Sequence, residues 1–290
     1  MIRRALFTAI KRVIVVIAIA YLMISLILRS ANQPIDKWND DLNGDRSIQQ
    51  AIFALQRERR RPTDNETLLG TVTKVMPTIT CPLAVHIGGV VDGGKWMCAP
   101  WRAHSNGCVA YSIGVGEDVS WEVDFNRILP ECQVYSFDPD VSYASLFAQF
   151  HGKNVTFVPA LLVPDHQLAF DGNQISITSF ATDHNHKRIE FLKMDIETAE
   201  YQIMPEVLQL IKQGRMTICQ LMLEMHCEKG YKTDDFIKLL RSIETAGFEM
   251  FAASPNFACG VVCQEYAFMH RACFELYGLR SEWITHKNLV

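Results

Sequence analysis

The residues best suited to chemistry fall at the ends of short apolar runs. Ser112-Ile113-Gly114-Val115-Gly116-Glu117-Asp118 is the first such stretch. Gly114 and Gly116 permit a tight turn and let backbone approach a ligand closely, and a helix after them offers free N–H groups at its start. No third glycine completes the Gly-x-Gly-x-x-Gly dinucleotide fingerprint, and Glu117 and Asp118 would repel a pyrophosphate. Asp138 follows Gly116 by 22 residues, at the end of the next apolar run. A carboxylate there can accept two hydrogen bonds from ribose hydroxyls, although Asp138-Pro139-Asp140 is also good turn chemistry. The combination suits a nucleoside with a cationic amino-acid part and no phosphate, a description that S-adenosylmethionine (SAM) meets.

Two further strand ends carry titratable groups. Asp195 closes the run before Ile196-Glu197-Thr198-Ala199-Glu200. It can cap the next helix, with Glu197 and Glu200 in the first turns where the dipole favours anions. It can equally face a cofactor sulfonium or an acceptor. Glu224 and His226 lie two apart and share a face if their strand continues. A histidine at a strand mouth can take a proton from a hydroxyl, or serve as a hydrogen-bonded structural residue. Asp195 and then His226 are the candidate proton acceptors. Asp138 and Asp140 also read as an Asp-x-Asp metal pair, which is the basis of an alternative, a lumenal glycosyltransferase.

These positions need elements to hold them. Cys108–Ile113, Gln133–Phe137, Val155–Leu162 (interrupted by Pro159), Ile189–Met194 and Thr217–Met225 read as buried strands, and Phe248–Ala252 and Glu265–His270 complete the set. Helices are expected at Glu117–Leu129, Thr198–Gln213 (closed by Gly214) and Asp234–Ala246 (closed by Gly247). Strands alternating with helices imply a parallel sheet covered on both faces. Ligands bind beyond the carboxyl ends of such strands, where Gly114, Gly116, Asp138, Asp195, Glu224 and His226 stand.

The chain has 290 residues, 49% of them hydrophobic, enough for one sizeable core plus extra segments. Its formal net charge of −4 gives no basic face for nucleic acid. Arg3, Arg4, Lys11 and Arg12 precede an apolar run over residues 13–28, about 24 Å long as a helix. Basic residues stay cytosolic, so residues 1–12 read as a cytosolic tail and 13–28 as a signal anchor. Residues 29–75 read as a polar stem with a helix over Ser47–Arg60, and 76–290 as a lumenal domain. The rival reading is a cleaved signal peptide and a secreted product. Either route leads into the secretory pathway, the ER and Golgi, where Asn65 and Asn154 fit the N-glycan acceptor pattern. Asn154 abuts a strand, which would limit its access. The chain has 9 cysteines, some of which should pair in an oxidising lumen. Cys81, Cys98 and Cys108 form one cluster and Cys259, Cys263 and Cys273 another, while Cys219, inside an apolar run, reads as a buried thiol. No second pair at ligand spacing accompanies Cys259 and Cys263, which speaks against zinc and leaves no metal site expected.

Phe191-Leu192-Lys193-Met194-Asp195-Ile196-Glu197-Thr198-Ala199-Glu200 resembles the Lys-hydrophobic-Asp-hydrophobic-Glu-Gly-Ala-Glu motif of FkbM-like methyltransferases, with Thr198 where that motif has glycine. Gly88-Gly89, Asp92-Gly93-Gly94-Lys95-Trp96-Met97-Cys98, Val109–Gly114 and Tyr135-Ser136-Phe137-Asp138-Pro139 resemble the branch containing methyltransferase-like protein 24. The likeness covers roughly residues 80–270. It implies a class I SAM-dependent methyltransferase fold: Rossmann-like, doubly wound, with a mostly parallel seven-stranded sheet. It implies SAM as donor and an oxygen acceptor, with SAM contacts at Gly114, Gly116 and Asp138 and a cofactor-side or catalytic place for Asp195. Many class I enzymes carry an acidic residue where this chain has Ser112, so Glu117 and Asp118 are the candidates to take its place. The expected function is O-methylation of a glycan or small-molecule hydroxyl. The alternatives are the glycosyltransferase above and a non-catalytic relative of the fold that binds a partner.

Overall fold

A computed structural model describes residues 75–90, 92–103, 107–169, 172–226, 233–256 and 263–284. They all belong to the unit Gln56–Val290. The tail, the anchor run, nearly all of the stem and Asn65 lie outside the described residues. No helix among the described residues is long and apolar enough to cross a membrane.

The strands among the described residues are β1 (Ala84–Ile87), β2 (Lys95–Cys98), β3 (Val109–Ile113), β4 (Gln133–Asp138), β5 (Val155–Pro159), β6 (Leu161–Leu162), β7 (Gln174–Ile175), β8 (Arg188–Met194), β9 (Thr217–His226), β10 (Phe248–Pro255) and β11 (Cys263–His270). The α-helices among the described residues are α1 (Ser120–Ile128), α2 (Ile177–Asp183), α3 (Glu200–Lys212), α4 (Thr233–Thr245) and α5 (Phe274–Tyr277). Seven strands form one sheet in the order β10-β11-β9-β8-β3-β4-β5. The strands from β9 to β5 run parallel, and β11 is antiparallel to both its neighbours. The order reverses between β3 and β8, the place where a crevice opens in doubly wound sheets. This is the class I methyltransferase sheet.

Burial explains why the central strands read as continuous apolar runs. β3 is buried throughout, and β8 and β9 are buried past their first residue. Alternate residues feed two cores. Tyr111, Ile113, Leu192, Met194, Leu221 and Leu223 pack on the side that holds Phe180, Ile203, Met204 and Leu240. Ala110, Val134, Phe191 and Met222 pack on the side that holds Trp121, Phe125, Phe274 and Tyr277. Trp121 and Phe125 are fully buried and stack at 4.7 Å between ring centroids, each stabilising the fold by about 1.5–3 kcal/mol through burial.

Element ends differ from the sequence reading for local reasons. α1 begins at Ser120 rather than Glu117, because Gly116 turns with φ +62° and Asp118 Oδ1 accepts the Ser120 N–H at 2.7 Å. α3 begins at Glu200 rather than Thr198, because Glu197 (φ +52°) and Thr198 (φ +83°) are left-handed. The expected third strand divides at Pro159, and β6 leaves the main sheet to pair with β7. The β1–β2 hairpin and α2 were not legible. Four-residue strands carry little periodicity, and α2 declares itself only through a Ser176–Ser179 capping box.

The cysteines join Cys81 to Cys98, Cys108 to Cys132 and Cys219 to Cys273. Cys219 is therefore not the buried thiol expected. It shares the α1-side core with Cys273, from the turn after β11, so the two side chains meet. Cys263 is disulfide-bonded as well. Asn154 is exposed rather than shielded by its strand, and its Nδ2 donates to the Pro130 carbonyl at 3.0 Å.

Candidate active site

A cavity of about 730 Å³ lies at the carboxyl ends of the parallel strands. Gly114, Gly116, Glu117, Asp118, Asp138, Asp195 and His226 all line it. The two glycines do different work. A Cβ on Gly114 (φ +76°) would sit 1.6 Å from the Asp195 carbonyl oxygen, so glycine lets the ends of β3 and β8 approach. A Cβ on Gly116 would meet nothing within 4 Å, so its backbone faces open cavity. Lys193 Nζ donates to the Gly114 carbonyl at 3.0 Å and fixes the bend from below.

Asp138 turns toward this bend. Its Oδ2 accepts the N–H groups of Val115 (3.2 Å) and Gly116 (3.1 Å), and its Oδ1 accepts that of Asp140 (2.9 Å). A carboxylate offers about four lone-pair sites, so about one remains, on Oδ1. The two ribose bonds expected from sequence thus reduce to one in this conformation. Asp140 spends its carboxylate on the Ser142 N–H at 2.9 Å and does not line the cavity. The Asp-x-Asp pair therefore does not converge on one point. Ser112 is sealed away, with its hydroxyl donating to the buried Glu122 Oε1 at 2.5 Å. Glu117 and Asp118 reach the cavity where Ser112 does not.

The β1–β2 loop supplies what the sequence left unassigned. Gly88 N–H donates to Asp124 Oδ2 (3.1 Å) and Gly89 N–H to Ser120 Oγ (2.7 Å), which fastens the loop onto the start of α1. Asp92 and Gly93 thereby enter the cavity wall. Lys95 follows, buried, with Nζ 3.2 Å from Asp195 Oδ2, 3.2 Å from Glu224 Oε2 and 2.5 Å from Glu265 Oε1. Asn256 bridges Asp92 Oδ1 (3.0 Å) and Glu224 Oε1 (2.8 Å). The Asp-Gly-Gly-Lys run was visible in sequence, but only the fold carries it 100 residues along the chain to Asp195.

Burial and charge sort these carboxyls. Burial would raise Asp195, but the ammonium groups of Lys95 and Lys193 hold it below the usual carboxylate range. Glu224 is pushed up to about 9 by burial, with Asp195 and Glu265 adding to the shift. Burial would lower Lys95, yet Glu265, Asp195 and Glu224 keep it raised and charged. Environments that drive neighbouring carboxyls apart give them different roles. Glu224, His226 and Cys263 stand close enough to share an ion, but disulfide-bonded Cys263 has no thiolate to offer. Asp92, Asp195 and Glu224 also stand that close, with the Lys95 ammonium already against two of them.

The model of a family described as "Methyltransferase domain" matches residues 36–270. The chain belongs to this methyltransferase-domain family. The match begins inside the segment that composition assigns to the stem. Probable methyltransferase-like protein 24 of Homo sapiens is 22% identical over 201 residues, covering 61% of this chain and 51% of that protein. This chain thus spans about half the length of the curated relative it matches. The structure titled fibrillarin/Nop5p complex is similar with a TM-score of 0.40 and 11% identity, over 62% of this chain and 87% of that one. A SAM-dependent methyltransferase from Aquifex aeolicus has a TM-score of 0.32 and 16% identity, over 56% and 82%. At those scores the likeness adds nothing to the strand order itself.

The residues present fit SAM, the cofactor of methyltransferase-domain proteins. Gly116 leaves an open cradle over the bend, Asp138 retains an acceptor beside it, and the wall is rich in carboxylates that suit a cation.

Proposed function

We propose that this protein is a SAM-dependent methyltransferase acting on the hydroxyl of a glycan or small molecule in the secretory pathway. The single observation that carries the reading is one continuous cavity. It joins the Gly114–Gly116 bend and Asp138 to Asp195 and His226. Gly116, Glu117, Asp118 and Asp138 would hold the nucleoside and its amino-acid end. When bound, SAM supplies a methyl carbon already activated on a sulfonium sulfur. The chain's own residues then have three tasks. Asp195, kept ionised, favours positive charge at the strand ends. Asp92 and Gly93 of the β1–β2 loop wall the cavity. A basic group holds the acceptor's proton, and correct positioning of the acceptor supplies the largest part of the rate.

The lumenal setting is supported by the basic residues before the apolar run 13–28. It is supported too by the paired cysteines, which persist in oxidising compartments. In this reading residues 13–28 anchor the chain, and Asn65 and Asn154 are available for glycans.

Calorimetric titration of the full-length chain in lipid nanodiscs tests the proposal. SAM is expected to bind, and Asp138→Ala to weaken it at least tenfold, about 1.4 kcal/mol. Heat on adding a nucleotide sugar with Mn²⁺, and none with SAM, would overturn it.

A further inference from the structure

His226 ends β9 at the cavity wall, and its two ring nitrogens face different surroundings. Nδ1 lies 3.2 Å from Glu200 Oε1, and the same oxygen accepts the backbone N–H of His226 at 2.8 Å. Glu200 therefore grips main chain and ring together. It is fully buried at the start of α3, and its Oε2 has no hydrogen-bond partner among the described residues. Nε2 lies on the opposite side of the ring. It is 3.7 Å from Asp195 Oδ1, 3.7 Å from Glu197 Oε1 and 3.9 Å from Glu224 Oε1, all beyond hydrogen-bonding distance. A carboxylate against Nδ1 selects the tautomer protonated there and leaves a lone pair on Nε2.

We propose that Glu200 and His226 form a dyad in which His226 Nε2 takes the acceptor's proton and Glu200 is the positioning residue. The role rests on the methyl-transfer reading above. An acceptor hydroxyl loses its O–H proton to Nε2 as its oxygen bonds the methyl carbon. The pair of the breaking S–CH₃ bond goes to sulfur, leaving a methyl ether, a neutral thioether and an imidazolium. Water then removes the proton. Asp195 serves less well as the base, since Lys95 holds its Oδ2 at 3.2 Å. Its place is beside the imidazolium.

Among the described residues, the groups facing the ring are Glu200 from α3, Asp195 and Glu197 from the turn before it, and Glu224 from β9 itself. Lys95 from β2 lies beyond Asp195 and Glu224. Cys263, opposite on β11, is disulfide-bonded and does not titrate. Burial would lower the imidazole, but its bond to Glu200 and then the charges of Glu200, Asp195 and Glu197 raise it.

Nitrogen NMR of the full-length chain labelled with ¹⁵N-histidine tests the dyad, His226 being assigned from the His226→Gln spectrum. The expected result is a neutral form protonated on Nδ1 and a titration above the ordinary histidine value. Glu200→Gln should lower the proton affinity at least tenfold, mix the tautomers and leave SAM affinity within twofold. A neutral wild-type ring protonated on Nε2 would overturn the dyad without any variant. So would a titration unmoved in a folded Glu200→Gln chain. If the Nδ1 tautomer holds but the wild-type chain fails to bind SAM, the methyl-transfer reading falls instead, and the base role with it.

Discussion

Thr198 carries a cost that glycine would not. A β-branched residue at φ +83° is a steric outlier, and such positions cost on the order of 1–3 kcal/mol. Thr198→Gly should therefore stabilise the fold by about 1 kcal/mol after the extra freedom of unfolded glycine is deducted. Differential scanning calorimetry should show this as a rise of about 2–4 °C. Glu224 gives a second residue-level test. Between its ordinary value of 4.5 and about 9, the folded chain keeps a proton that the unfolded chain has released. Stability tied to that proton therefore falls as pH rises through this window. Glu224→Gln keeps the shape of the protonated acid and loses the dependence. Relative to wild type, its unfolding temperature should be a few degrees higher at pH 8 than at pH 5. An equal difference at both pH values would refute the assignment. The strand-end residues were legible because turn glycines and carboxylates after apolar runs have local signatures. Glu200 read as a first-turn anion because its partner His226 lies 26 residues away in sequence.

At the scale of elements, the approach of β3 to β8 is the joint that forms the cavity floor. Gly114→Ala drives a methyl group into the Asp195 carbonyl and should cost about 3 kcal/mol or more, as incompatible backbone substitutions do. Gly116→Ala meets only left-handed strain, about 1 kcal/mol, and its methyl enters the cavity instead. The pair should separate in calorimetry: Gly114→Ala loses stability first, and Gly116→Ala loses SAM affinity first. The central parallel strands were readable as apolar runs because β3, β8 and β9 are buried on both faces, which leaves only a few polar residues, such as Ser112 and Lys193, among their apolar ones. The hairpin that delivers Lys95 was not, because its two four-residue strands take their pairing from a tertiary contact. Its Gly88–Gly94 loop is held by Asp124 and Ser120 of α1.

For the molecule as a whole, one disulfide ties β9 of the main sheet to the turn after β11. Cys219 and Cys273 stand 54 residues apart, and closing a loop of that length restricts the unfolded chain by about 4 kcal/mol. The Cys219→Ala/Cys273→Ala double variant should unfold in denaturant with a stability lower by up to that amount. An unchanged midpoint would show that the link contributes nothing.

The wall of carboxylates bears on turnover. Methyl donation erases the sulfonium's positive charge, so a negatively lined chamber grips the spent nucleoside more weakly than the fresh one. S-adenosylhomocysteine should bind less tightly than SAM, with the gap narrowing as salt is added, and sulfated or phosphorylated acceptors should be turned away by the same field. Departure of the used donor is thereby built into the lining rather than left to a moving part.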